Sequence, residues 1–169
     1  MKKLAVLSLT LGLAIAGATW VGAHPHINKS VTAKLPSGAD ATVTYVTVPS
    51  NEDYATRAAA GAFLNARGPR LKLSAEVKAG NVTIPAGEYT IGAIKNGDKD
   101  FTMALYPGAV QRGVAPDMSK MVKLESQLNT THGKAEHLTI DISPGSGKFE
   151  GKVVLIMHFG TLFLEGALS

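Results

Sequence analysis

The sequence predicts an all-β protein, an antiparallel β-sandwich or barrel of about eight or nine strands with one helix near residues 51–67. Three observations lead there. Short runs of alternating apolar and polar residues recur along most of the 169-residue chain. Turn residues separate them, above all Pro85-Ala86-Gly87 and Asn96-Gly97, and Asn-Gly is the strongest short hairpin signal. One segment breaks the pattern, an Ala-rich run from Tyr54 to Arg67.

The elements follow in order. Residues His24 to Ser37 read as polar and irregular, punctuated by Pro25 and Pro36. Ala41 to Val48 alternates and is rich in β-branched residues, which makes it a strand. Ser50-Asn51-Glu52-Asp53 reads as a helix start, with a serine cap and acids at the positive end of the helix dipole. The helix carries Tyr54, Ala58, Phe63 and Leu64 as its apolar stripe and stops at Gly68-Pro69. Leu71, Leu73, Ala75 and Val77 alternate with polar residues as a half-buried strand. Val82 to Ile84 is a short strand, and Tyr89 to Ile94 pairs through the Asn96-Gly97 turn with Phe101 to Tyr106. After a polar connection, Met121 to Leu128, His137 to Ile142, Lys152 to His158 and Thr161 to Leu168 complete the set.

Met1 to Ala23 reads as a secretory signal peptide. Lys2 and Lys3 precede an apolar stretch from Leu4 to Ala18, and Val21-Gly22-Ala23 supplies small residues for cleavage. A rival cut lies after Ala18. The apolar stretch is short of the ~20 residues that a spanning helix prefers, so no membrane span is expected once it is removed. Export to the periplasm or the medium is the expected destination. Cleavage after Ala23 leaves a single domain, residues 24–169, and lowers the formal charge from +4 to +2.

Composition narrows the function classes. The chain has no cysteine, which excludes disulfides, thiol catalysis and cysteine-ligated metals. With 45% hydrophobic and 18% charged residues it is not a disordered tail. No basic stripe is interleaved with aromatic residues, so nucleic acid is not an expected partner.

The run Lys72 to Val77, followed by Gly80-Asn81-Val82-Thr83-Ile84-Pro85-Ala86-Gly87-Glu88-Tyr89-Thr90-Ile91, resembles an exported bacterial family. The family is domain of unknown function twenty-nine-eleven. Val122-Lys123-Leu124, Glu136 to Ile142 and Leu155 to Thr161 are similar to later strands of that family, so the likeness spans about residues 71–168. It implies an all-β fold and an exported location, and supplies no catalytic residue. The Glu-Trp pair of the family's last hairpin is His158-Phe159 here, and its upstream Trp-Arg-Thr-Gly-Ala-Asn stretch is replaced by the Ala-rich run.

The histidines are the candidate ligands. Cleavage after Ala23 would make His24 the terminal residue, able to chelate copper through its α-amine and ring nitrogen. A second histidine would complete a brace, and His26, His132, His137 and His158 are available. His24, His26 and His158 are the metal candidates, with copper as the metal. Pro25 excludes the terminal tripeptide chelate, because proline has no amide proton to give up. His132-Gly133-Lys134-Ala135-Glu136-His137 has the wrong spacing and setting for a zinc protease. Pro144-Gly145-Ser146-Gly147-Lys148 is a hairpin loop, neither a nucleophile elbow nor a phosphate loop.

Two readings result. The first is a non-enzymatic exported module that needs no cofactor and binds a protein or a small molecule, or self-associates through its edge strands. Val153 to Met157 reads as a central strand, and as a contact surface if it lies at an edge. The second is a periplasmic or extracellular copper-binding protein anchored on His24.

Overall fold

A computed structural model describes residues 25–111 and 113–168 of the protein. The signal segment and His24 lie outside the described residues. The fold is all-β, with several antiparallel sheets and one small helix, in agreement with the sandwich expectation.

Strands β1 (Asn28–Lys34), β2 (Asp40–Val46), β3 (Phe63–Leu64), β4 (Arg70–Leu73), β7 (Gly87–Gly97), β8 (Asp100–Pro107) and β9 (Val122–Lys123) form the larger sheet. Its order is β1-β2-β4-β7-β8-β9, with β3 on β7. Strands β10 (Ser126–Asn129), β11 (Ala135–Pro144), β12 (Val153–Gly160) and β13 (Leu162–Leu168) form the second, in the order β10-β13-β12-β11. A small hairpin of β5 (Val77–Ala79) and β6 (Val82–Ile84) stands apart.

The chain turns two corners between the sheets. After Lys123 leaves β8, the Leu124 amide still donates to Met103 while the Ala167 amide donates to the Glu125 carbonyl. The segment read as one strand, Met121 to Leu128, is therefore two short strands serving different sheets. At the second corner, beyond the end of β2, the Leu138 amide donates to Val48 and the Ser50 amide to Glu136. Bent strands that change sheets are how such packings close their corners.

The core lies between the inner faces. Leu71, Leu73, Ile91, Met103, Leu105, Leu138, Ile140, Leu155 and Leu168 are essentially fully buried. Gly166 makes the close approach between sheets feasible: a Cβ there would sit 2.7 Å from Met103 Sδ and 3.0 Å from Leu124 Cδ1. Phe149, Val154 and Ala167 make a second cluster, with Ile156 packed against it.

Three expectations are corrected. The helix near residues 51–67 is only α1, Glu52–Thr56. Ser50 does not cap it; its Oγ is buried without a partner, and Asn51 is the flanking residue. Gly61 takes a φ of +83°, which a helix does not tolerate, and donates to the Lys95 carbonyl. Phe63 and Leu64 then pair with Ile94 and Ala93, so the open edge of β7 outcompetes the helix propensity of the alanines. Residues 28–34 are not irregular but form β1, an exposed edge strand with no continuous apolar face to announce it. The Leu71–Val77 strand breaks after Leu73, where the Ser74 amide donates to Asp40. With these divisions the described residues carry thirteen strands rather than eight or nine.

Val153 to Met157 lies in β12, paired on both sides by β11 and β13. It is central, as its apolar run suggests, and therefore unavailable as an edge. No helix among the described residues is long and apolar enough to cross a membrane.

Candidate functional site

Beneath α1 the two sheets leave an apolar cavity of about 50 Å³. Leu64 and Ala93 line it from one sheet, Leu138, Met157, Phe159 and Leu164 from the other, with Tyr54 and Ala55 of α1 across it. Period-two alternation explains the lining: Met157 and Phe159 share the inner face of β12 with Leu155.

Two contacts hold α1 over the cavity. The Glu52 carboxylate accepts the Thr161 amide at 3.0 Å and the Thr161 hydroxyl at 2.9 Å, which ties the start of α1 to the tip of the β12–β13 hairpin. Gly160 turns that tip with a φ of +63°, and a Cβ there would overlap the Glu52 side chain. At the other end of α1, Lys95 Nζ donates to the Thr56 carbonyl.

Lys95 is unusual in its setting. It follows Tyr89, Ile91 and Ala93 on the inward-facing positions of β7 and pairs with Phe101 of β8. Its relative exposure is 7%, and the Thr56 carbonyl is the only acceptor it has among the described residues. Among the described residues no carboxylate lies within 4.0 Å of it. A buried ammonium normally has a paired anion, because its desolvation is expensive. Around it lies a polar pocket of about 240 Å³ that includes Glu52, Thr56, Asp98, Lys99, Thr130 and Thr161. Phe101 and Leu162 form walls of both this pocket and the apolar cavity, so the two spaces adjoin.

Of the metal candidates, His26 and His158 lie within the described residues. His24 lies outside the described residues. His26 places Nδ1 3.0 Å from the Thr47 carbonyl, at the end of β2. His158 is half-buried on the outer face of β12, with Nε2 3.4 Å from the Gly133 carbonyl and its ring edge-on to Phe163 at 5.3 Å. His132 stacks on the same phenyl ring at 3.9 Å. His137 forms an isolated bridge with Pro49. Among the described residues no three histidine or acidic side chains converge to hold a metal ion.

Sequence reasoning missed Lys95. The signal is present in the alternation Tyr89, Ile91, Ala93, Lys95, which continues past Ile94, the expected end of the strand, as β7 runs on to Gly97. Comparison with protein-family models, curated proteins and solved structures found no match to the chain.

Proposed function

We propose that the protein is a non-enzymatic, exported binding module that holds the apolar part of a small molecule between its two sheets. The carrying observation is the cavity under α1, whose inner walls are aliphatic and aromatic side chains from both sheets. The cavity adjoins the polar pocket of about 240 Å³ beside Lys95, and only together do the two approach the size usual for a small-molecule site, concave apolar space with a few polar groups at its margin. The export part rests on the pattern Met1 to Ala23, and the motif from Gly80 to Ile91 supports membership of the unknown-function family named above. Copper binding keeps the support of the His24 pattern alone.

Titration with the apolar dye 1-anilinonaphthalene-8-sulfonate tests the reading. Saturable one-to-one fluorescence enhancement is expected. The variant Ala93→Leu, which fills the cavity from its floor, should weaken it about tenfold. Dye binding that is unsaturable, or unchanged in A93L with its fold intact by circular dichroism, would refute the cavity as the site.

A further inference from the structure

Resting on the cavity reading, we propose that the ligand is an amphiphilic monocarboxylate. Its carboxylate pairs with Lys95 Nζ, and its hydrocarbon end enters the cavity under α1. Lys95 occupies an inward-facing position of β7 that the alternation would otherwise give to an apolar side chain. Its ammonium has three donors, and one carbonyl, that of Thr56, accepts from it. A buried cation in that state calls for an anion that the described residues do not supply.

The acids nearby do not fill the role. Glu52 spends one oxygen on the amide and the other on the hydroxyl of Thr161. Asp98 lines the polar pocket but makes no ion pair with Lys95. The same two acids argue for the charge of the ligand. A dianionic phosphate would meet Glu52 and Asp98 in one small pocket, whereas a single carboxylate meets Lys95 and Lys99 with less repulsion. Thr130 lines the same pocket, and its hydroxyl is a hydrogen-bond donor suited to a carboxylate's remaining lone pairs, whereas the Thr56 hydroxyl already donates to the Glu52 carbonyl.

The two spaces share Phe101 and Leu162, so a molecule with its head beside Lys95 has its tail directed at apolar walls. A neutral alcohol of the same length would gain the tail's burial without the charge pairing. An alkylammonium would add a second cation to an unpaired one.

Calorimetric titration of the full chain with sodium octanoate, 1-octanol and octylammonium chloride decides the matter. Octanoate is expected to bind about tenfold or more tightly than octanol, the margin of a charge-assisted hydrogen bond, and octylammonium weakest of all. Lys95→Met should bring octanoate down to the level of octanol, while Lys95→Arg should keep part of the preference. Equal affinity of octanoate and octanol in the unsubstituted protein would overturn the carboxylate assignment and leave the cavity reading standing, whatever the folding of the variants. Failure of all three probes and of the dye would overturn the cavity reading itself, and this inference with it. Retained preference in a folded K95M would move the anion site away from Lys95.

Discussion

Glu52 and Thr161, 109 positions apart, are joined by two hydrogen bonds that one carboxylate accepts, from the backbone amide at 3.0 Å and from the hydroxyl at 2.9 Å. This clasp and the Lys95–Thr56 contact seat a five-residue helix over the cavity. A helix that short is not stable by itself, so its position depends on those tertiary contacts and on Ala55, which is buried beneath it.

Glu52→Ala should destabilise the fold by about 1–3 kcal/mol, the worth of charge-assisted bonds in a half-buried setting. Glu52→Gln should cost less, because its amide can still serve both Thr161 groups. Hydrogen exchange is expected to rise first over residues 52–56, and dye entry to quicken. Unchanged exchange there in E52A would mean that α1 is held by something else.

Lys95→Met should leave the denaturation midpoint unchanged or raise it, since replacing a buried charge by an apolar chain of similar shape is often neutral or stabilising. A lysine kept only to secure Thr56 would behave oppositely, and its removal would lower stability by about 1 kcal/mol. Urea unfolding of the two proteins side by side separates these cases.

Gly166→Ala is expected to cost about 1–3 kcal/mol through overpacking. The added methyl meets Met103 Sδ at 2.7 Å and Met103 Cβ at 2.9 Å, where the sheets come closest. Pairing it with Met103→Ala, a contacting residue, should restore part of the loss in a double-mutant cycle.

The pH dependence has two limbs. The hydrogen bond from Lys152 holds the Glu125 carboxyl below its ordinary value, and that from Ser119 does the same for Asp117. Their contribution is present above the carboxylate range and is lost as pH falls through it. Burial raises the Tyr89 hydroxyl above its ordinary 10.0. The unfolded chain therefore ionises first, and stability contributed by Tyr89 declines as pH rises beyond about 10. Tyr89→Phe should flatten that alkaline limb and cost about 1 kcal/mol at neutral pH, because the hydroxyl donates to the Pro85 carbonyl at 2.8 Å. An alkaline limb as steep in Y89F as in the parent would assign it to other groups.

Copper content offers a separate check. Protein taken from its own host, with a mass that starts at His24, is expected to carry copper well below one equivalent and to bind the dye equally well after His24→Ala. Stoichiometric copper that H24A abolishes would favour the terminal-histidine reading instead.

What the sequence alone determined is the set of strands whose pattern is local. Tyr89 to Ile94 and Phe101 to Tyr106 pair as a hairpin, and the apolar run Val153 to Met157 is central in its sheet. The turn itself is displaced from the expected Asn96-Gly97, which ends β7 past a register shift, to Asp98-Lys99, where Lys99 takes a φ of +53°. Alternation reports burial on one face within a few residues, so it needs no knowledge of the rest of the chain. The tertiary structure decided the remainder. Phe63 and Leu64 became a strand because β7 offered unpaired backbone groups beyond β4. Val122 to Asn129 split because its two halves hydrogen-bond to different sheets. The cavity and the isolated ammonium of Lys95 arise the same way, from residues distant in sequence whose burial and partners exist only once both sheets have closed over them.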